Sequence, residues 1–263
     1  MAEIVVERDA SVAVVRLNRP ERGNSVTPDV VDELVALFEG LTGDADVRAL
    51  VLTGTGTVFC AGADVQQMHA VFVSAGIDGI CDYLSDVWMP AVQRLVRVLW
   101  SMPKPIVAAL NGSATAGGLD FALTCDLRIA SDRAKFAESY VNLGMVPVAG
   151  GLFLLPLTIG LSAATELLAT GELIDARRAL ELGLVASLHS DTELLPVAKA
   201  AAARLGSAPA DTFADTKRIA RQRWLPELDR ALEESLNADN RLIRTPLVRQ
   251  RLISVMEKFS AQR

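Results

Sequence analysis

The fold is decided by the stretch Ala109-Leu-Asn-Gly-Ser-Ala-Thr-Ala-Gly-Gly-Leu-Asp120. It includes the end of the apolar run Ile106–Leu110 and precedes a helical pattern, which is typical of a strand that stops at a tight turn and feeds a helix. The start of a helix leaves backbone N–H groups unpaired and carries the positive end of the helix dipole. Gly117 and Gly118 allow a ligand to approach the backbone, and Asp120 adds a carboxylate in the first turn. The stretch therefore predicts a site that can hold developing negative charge.

A second stretch, Val58-Phe-Cys-Ala-Gly-Ala-Asp64, repeats this pattern. A short apolar strand ends in the small-residue turn Ala61-Gly-Ala63, and an acid heads a helical segment. Two such turns can face one another across one site. A structural interpretation stays open for both stretches, with the glycines as packing points and Asp120 as a capping charge.

Composition limits the class of protein. The 263 residues are 51% hydrophobic, enough to bury a full-sized core. A formal charge of −6 argues against nucleic acid as a partner, because nucleic-acid binding needs a basic face. The N-terminus has no apolar signal region, and no apolar run reaches the ~20 residues that span a bilayer. The sequence thus predicts a soluble cytoplasmic protein without a membrane partner.

Cysteine and histidine are scarce. The three cysteines Cys60, Cys81 and Cys125 show no C-x-x-C spacing, which favours reduced thiols over disulfides or a metal site. Neither His69 nor His189 has a second histidine one helical turn away. This spacing removes most zinc arrangements and weakens any Ser-His-acid triad, so no metal is predicted.

Strand and helix patterns alternate along most of the chain. Ile4–Arg8 and Val12–Leu17 predict a hairpin, and Val47–Thr53 predicts a strand buried on both faces. The N-cap Thr27 followed by Pro28 predicts the start of an amphipathic helix that stops at Gly43.

Two longer regions differ from this alternation. Between Val65 and Pro90, Gly76 and Gly79 interrupt any long helix, which favours either a mobile flap over a pocket or a plain surface loop. The composition changes near residue 190, and from Glu193 onward the pattern is helical throughout. We therefore expect residues 1–190 to form an α/β core with the site and residues 191–263 to form a helical region that packs on the body or on another subunit.

Five ordered motifs carry a family resemblance: Leu17–Asn24, Phe59–Asp64, Pro103–Gly112, Ala116–Asp120 and Cys125–Ala130. With their order and spacing, the chain from about Ile4 to Phe259 resembles the crotonase, or enoyl-CoA hydratase/isomerase, superfamily. The resemblance implies an α/β fold, namely a crotonase-like spiral of ββα turns with a C-terminal helical trimerisation region. Homotrimers of this family often pair into hexamers.

The resemblance also implies a coenzyme A thioester as substrate, with coenzyme A as part of that substrate and no separate cofactor. The thioester carbonyl of the family lies between two backbone N–H groups, which match Ala63 and Gly117 here and form an oxyanion hole. The other positions implied for substrate binding are Arg22, Cys60, Ala61, Asp64 and Gly118, together with Lys258 and Phe259, which resemble residues that reach a neighbour's coenzyme A. For Asp64 a helix-capping role, and for Lys258 and Phe259 an ordinary helix surface, are the open alternatives.

The catalytic positions depart from the family pattern. Hydratases of this family use two glutamates that hold one water; the first matches Asp120, which is shorter by one methylene, and the second matches Tyr140. A phenol is a poor base at neutral pH but can donate a hydrogen bond, or it simply packs in the acyl pocket. The loop Pro147–Gly151, where some family members carry a substitute acid, holds no carboxylate. Glu138 is the nearby acid that could replace the second glutamate.

The predicted function is enolate chemistry on an acyl thioester. Hydration of a 2-enoyl-CoA is the leading prediction. Double-bond isomerisation with Asp120 as the single base is the first alternative, since one carboxylate can shuttle one proton across an enolate. A binding subunit that has kept the fold and lost the chemistry is the second alternative, favoured by the missing second acid.

Overall fold

The computed structural model describes residues 2–261, and within them the chain forms ten strands and eleven helices. The strands are β1 (Ile4–Asp9), β2 (Val12–Leu17), β3 (Ala49–Gly54), β4 (Val58–Cys60), β5 (Ile106–Leu110), β6 (Ser113–Thr115), β7 (Leu127–Ser131), β8 (Lys135–Ala137), β9 (Ile174–Asp175) and β10 (Ser187–His189). The predicted opening hairpin is confirmed, since β1 and β2 pair antiparallel.

The helices alternate with these strands and then dominate the C-terminal region. They are α1 (Pro28–Gly43), α2 (Val65–Tyr83), α3 (Met89–Ser101), α4 (Gly117–Thr124), α5 (Gly151–Ile159), α6 (Leu161–Thr170), α7 (Ala176–Glu181), α8 (Asp191–Gly206), α9 (Ala210–Gln222), α10 (Leu225–Leu242) and α11 (Pro246–Ala261). Helix α1 begins as predicted, because the Thr27 side chain accepts a hydrogen bond from Val30 N and Pro28 stands in the first turn.

Two sheets share the strands in alternation. The larger has the order β1-β2-β3-β5-β7-β10 and the smaller the order β4-β6-β8-β9. The chain passes from β3 to β4, from β5 to β6 and from β7 to β8, so each turn contributes one parallel strand to each sheet. This is the predicted spiral of ββα turns. It brings the ends of β4 and β6 side by side, and the two small-residue turns follow those strands.

The helix α8 covers one face of the larger sheet. Its buried Leu194, Ala198 and Ala202 pack with buried strand residues that include Val14 and Val51. The first helix of the predicted C-terminal region therefore contributes to the core of the body. The division at residue 190, and a role of the region in oligomerisation, stay predictions.

The segment from Val65 to Pro90 differs from the prediction. It is helical: α2 runs to Tyr83, a π-helical turn covers Leu84–Trp88, and α3 follows at Met89. Gly76 does interrupt the helix, with φ 66° and ψ −162°, and the chain forms a kink there before a second helical segment follows. The prediction of a loop was wrong because the buried Met68, Ile80 and Cys81 anchor the helix to the core on both sides of the glycine.

None of the helices described here is long and apolar enough to cross a membrane.

Candidate active site

The two small-residue turns lie against each other. A Cβ atom placed on Gly62 would be 3.2 Å from the backbone N of Gly117, and one placed on Gly117 would be 3.7 Å from the Cα of Gly62. Gly62, at φ 88°, therefore needs to be glycine for two reasons, its backbone conformation and the closeness of the neighbouring turn. The prediction that the two turns face one another is confirmed.

Each turn is fixed by hydrogen bonds that leave one amide unused. Val26 N donates to Gly62 O, and Ala116 O accepts from the N–H groups of Leu119 and Asp120. Within residues 2–261, the N–H groups of Ala63 and Gly117 donate no hydrogen bond to a protein acceptor. The site thus contains two neighbouring free donors, one of them at the N-terminus of α4.

Backbone strain marks the same place. Ala116, which precedes α4, has φ 48° and ψ −127°, a conformation that only glycine adopts without cost. Strain of this kind, about 1–3 kcal/mol, persists where the surrounding structure enforces it, and it clusters at functional sites. Ala116 is one reason why the Gly117 amide is presented at the helix start.

An apolar pocket of about 190 Å³ opens beside the turns, and Ala61, Ala63 and Ala116 line it. Side chains from three helical segments and from the region of residues 139–145 form its other walls: Val65, Met68, Leu84, Trp88, Ser139, Tyr140, Leu143, Met145, Leu252 and Val255. The sequence did not reveal the two residues of α11, because nothing local indicates that a helix near the C-terminus folds back onto α2.

Three ionisable side chains meet behind this pocket. Tyr140 lines the pocket, and its hydroxyl donates a 2.8 Å hydrogen bond to Asp120 Oδ2. Asp120 is fully buried and Glu138 is 1% exposed. Glu138 stands just before the 3-10 turn Ser139–Leu143, with φ −89° and ψ 73°, and its carboxyl group lies next to that of Asp120. The structure confirms that Asp120, Tyr140 and Glu138 come together, which the sequence left open for Glu138.

Burial controls the protonation of this cluster. Burial raises the pKa of Asp120 to about 7, while the hydrogen bond from Tyr140 and the nearby Glu138 carboxyl group and backbone amides of Ala149 and Gly151 hold it down. Burial raises the pKa of Glu138 well above its usual range, and the neighbouring Asp120 carboxylate adds to the rise. Two adjacent buried carboxyl groups oppose each other's ionisation, so the Asp120–Glu138 pair retains a proton to a higher pH than an exposed carboxyl group does.

Two of the predicted substrate-binding residues, Cys60 and Gly118, make structural contacts, and their role in binding stays a prediction. The Cys60 side chain is fully buried, and its thiol accepts a hydrogen bond from Gly62 N at 3.4 Å. A Cβ atom on Gly118 would be 2.0 Å from the carbonyl O of Cys60, so glycine is required there for the contact between α4 and β4. Neither residue lines the pocket, and the interpretation of Gly118 as a packing point holds.

Asp64 and Arg22 form part of a buried ion pair. Asp64 caps α2 by accepting from Gln66 N and Gln67 N, as the alternative interpretation predicted. Its other oxygen, Oδ2, accepts a 2.7 Å hydrogen bond from Arg19. The Nη1 atom of Arg22 lies 3.7 Å from Asp64 Oδ1, the oxygen that caps α2. Arg19, 8% exposed, was not singled out in the sequence; it fixes the acid that follows the Ala63 turn. Arg22 is half-buried at this edge.

Lys258 and Phe259 lie on α11 of the same chain. Lys258 is exposed, and the ring of Phe259 lies 5.3 Å from the ring of His69 on α2. His69 Nε2 is also 2.6 Å from Ser260 Oγ. The end of α11 thus packs beside the pocket entrance of its own chain, and contact with a neighbour's coenzyme A stays a prediction.

A larger cavity of about 330 Å³ lies at the opposite end of α3, between Trp100 and α9. Its cations are already paired, since Lys217 and Arg221 both bind the Asp126 carboxylate at 2.8 Å. None of the residues that line this larger cavity belongs to the two small-residue turns. In the described part of the chain no group of three or more His, Cys, Asp or Glu residues is placed to hold a metal ion.

A ββα spiral with two facing turns, two free amides and a buried acid beside an apolar pocket defines a crotonase-type fold and site. The family profile for enoyl-CoA hydratase/isomerase matches residues 7–262. The crotonyl-CoA hydratase of Syntrophomonas wolfei subsp. wolfei is 31% identical over 259 residues, 98% of this chain and 96% of that protein. The (E)-benzylidenesuccinyl-CoA hydratase of Thauera aromatica is 36% identical over 218 residues, 82% of this chain and 81% of that protein.

A solved structure agrees with these sequence matches. An enoyl-CoA hydratase/isomerase from Mycobacterium paratuberculosis superposes with a TM-score of 0.84 at 30% identity, covering 96% of this chain and 98% of that one. The chain therefore belongs to the enoyl-CoA hydratase/isomerase family, and the predicted fold is confirmed.

Proposed function

We propose that this protein binds an acyl-CoA thioester and stabilises its enolate, with hydration of a 2-enoyl-CoA as the reaction. The observation that carries the proposal is the pair of free amides, Ala63 N–H and Gly117 N–H, on two turns in contact. A thioester carbonyl that accepts both N–H groups gains negative charge as the enolate forms. Donors fixed in this way lower the barrier by a few kcal/mol each, because they need no reorganisation.

Hydration uses the acid beside this oxyanion hole. As the oxygen of a water bonds to the β-carbon, the water loses a proton to the Asp120–Tyr140 pair and the enolate forms. The α-carbon then recovers a proton, so that H and OH have been added across the double bond. A carboxylate with a pKa of about 7 is suited to this exchange, since it both accepts and returns a proton at neutral pH. The hydratases among the relatives support the same reaction.

Isomerisation is the second candidate, and one observation favours it. The residues that line the pocket include no carboxylate, and Tyr140 is the single ionisable side chain among them. One proton-transferring group is sufficient to move a double bond, because it removes a proton on one side of the enolate and returns it on the other.

Turnover of two substrates separates the candidates. The purified protein is incubated with crotonyl-CoA and with a 3-enoyl-CoA, and the products are resolved by mass spectrometry and chromatography. Water addition to crotonyl-CoA that is lost in Asp120→Asn supports hydration, whereas conversion of the 3-enoyl-CoA alone supports isomerisation. Binding of both thioesters without turnover of either would refute both and leave a binding subunit.

We also propose a homotrimer, or a pair of trimers, located in the cytoplasm. Leu161, Ile219 and Leu247 are more than half exposed on the helices α6, α9 and α11, which leaves apolar surface for a neighbouring copy to cover. All three cysteines are free and buried, as suits a reducing compartment. Light scattering after gel filtration tests the assembly: a monomer mass would refute it.

A further inference from the structure

The position of Asp120 raises a question about how a proton reaches it. Asp120 is fully buried and does not line the pocket, whereas Tyr140 does. The Tyr140 hydroxyl is 2.8 Å from Asp120 Oδ2, and it is 3.4 Å from where a Cβ on Gly117 would stand. The phenol oxygen therefore contacts the carboxylate and lies close to the turn that carries a free amide, and of the two side chains it is Tyr140 that faces the pocket.

We propose that Tyr140 is the group that meets the substrate, and that it relays the proton to Asp120, with Glu138 behind Asp120 as a positioning residue. The inference rests on the proposed enolate chemistry and assigns its proton route. It differs from a direct attack of the carboxylate on the substrate proton, which would require Asp120 to reach the pocket.

The relay consists of two coupled proton transfers, one from the substrate to Tyr140 and one from Tyr140 to Asp120. The α-C–H bond breaks, its electron pair forms the enolate, and the proton bonds to the Tyr140 oxygen. At the same time the original Tyr140 proton passes to Asp120 Oδ2, so the phenol stays neutral and the Asp120 carboxylate becomes an acid. The enolate oxygen carries the displaced negative charge toward Ala63 N–H and Gly117 N–H. Coupling is needed because burial and the adjacent carboxyl groups raise the pKa of Tyr140 well above its usual range, so a free phenolate is not formed.

Glu138 completes the relay from the other side. Both of its oxygens and Asp120 Oδ1 are buried and have no hydrogen-bond partner within ordinary distance among the described residues. A Cβ on Gly151 would be 2.3 Å from Asp120 Oδ1 and 3.0 Å from Glu138 Oε1. A proton on Glu138 satisfies this pair by donating to Asp120, which keeps Asp120 ionised and its Oδ2 directed at Tyr140. Besides Asp120 and Glu138, a third ionisable group lies near Tyr140. It is Asp239 on α10, which also raises the pKa of the phenol.

The test is exchange of the α-hydrogens of butyryl-CoA in D2O, followed by NMR, because exchange reports enolate formation whatever reaction follows. The variants are Tyr140→Phe, Asp120→Asn, Glu138→Gln and Glu138→Leu, each checked by circular dichroism and thermal unfolding. Tyr140→Phe and Asp120→Asn should each lower the exchange rate by about 10²–10⁴, the usual contribution of a positioned acid or base. The wild-type rate should rise as the pH passes about 7, where Asp120 ionises.

Glu138 is tested by the pH at which the rate rises. Glu138→Leu removes the hydrogen bond to Asp120, so the rise should move to higher pH, whereas Glu138→Gln retains a donor and should lie closer to wild type. A folded Tyr140→Phe protein that exchanges within threefold of wild type would overturn the relay while leaving the proposed function intact. If Glu138→Leu and Glu138→Gln show the same dependence of exchange rate on pH, Glu138 has no part in the relay. Wild-type protein that binds butyryl-CoA without exchange, and turns over no enoyl-CoA, would refute the proposed function and the relay with it.

Discussion

Replacing Asp239 by Asn should flatten the dependence of stability on pH. Asp239 lies on α10 and is fully buried, and its Oδ1 accepts a 3.0 Å hydrogen bond from Val146 N. Its Oδ2 has no donor among the described residues. Burial raises the pKa of Asp239 from 3.8 to about 7, and the Val146 amide only partly opposes the rise. The folded protein therefore favours the neutral acid at this position.

The sign and size of the effect follow from this pKa. Between pH 4 and 7 the folded state holds a proton on Asp239 that the unfolded chain has released, so the free energy of unfolding falls as the pH rises. The slope is about 1.4 kcal/mol per pH unit, and a shift of this size amounts to about 4 kcal/mol in total. Asn does not titrate and retains the acceptor for Val146 N. Asp239→Asn should thus lack a loss of about 2 kcal/mol that the wild type shows between pH 5 and 7.

Urea unfolding at pH 5, 6, 7 and 8, at one fixed protein concentration, measures this difference. The control is Asp215→Asn, which removes the same charge from an exposed carboxylate on α9. The expected result is a flatter curve for Asp239→Asn alone. Parallel curves for wild type and Asp239→Asn would contradict this prediction, because they would show that the buried carboxyl group does not take up a proton on folding.

Three glycine substitutions test the packing of the site. Gly118→Ala should lower the free energy of unfolding by more than about 3 kcal/mol, because its Cβ would meet the Cys60 carbonyl O at 2.0 Å. Gly40→Ala has open space around it in α1 and should raise the free energy of unfolding by about 0.5–1 kcal/mol. Urea unfolding compares the two, and similar effects of both would contradict the close contact. Gly151→Ala places a Cβ 2.3 Å from Asp120 Oδ1, so enoyl-CoA turnover should fall at least tenfold. Unchanged turnover would show that the position of Asp120 is not critical.

Local signals in the sequence predicted much of the fold. The hairpin of β1 and β2 follows from two β-rich runs with a short gap between them, and α1 follows from Thr27 and Pro28 at its start. The two turns were recognisable because each combines a strand end, small residues and an acid at a helix start. Their contact required a further step, since it depends on β4 and β6 being neighbours in the smaller sheet.

The remaining features depend on contacts between distant parts of the chain. Gly76 predicted an interruption, and α2 is kinked there, but buried residues on both sides of the glycine hold both helical segments to the core. The direction of the Glu138 side chain is set by the backbone before the turn Ser139–Leu143, which composition does not specify. The contribution of Leu252 and Val255 to the pocket arises from the packing of α11 on α2. No spacing within one segment encodes that arrangement.

The proposed function depends on the amides of Ala63 and Gly117, which would polarise the carbonyl group of a bound thioester. The most direct measurement is the C=O stretching frequency of bound crotonyl-CoA, labelled with ¹³C at the carbonyl carbon and observed by difference infrared spectroscopy in the Asp120→Asn protein, so that little turnover occurs. Two hydrogen bonds from fixed donors withdraw electrons from the carbonyl bond, so the frequency should fall below its value in water. A carbonyl frequency of the bound thioester that equals or exceeds the value in water would show that the two amides do not polarise the carbonyl group.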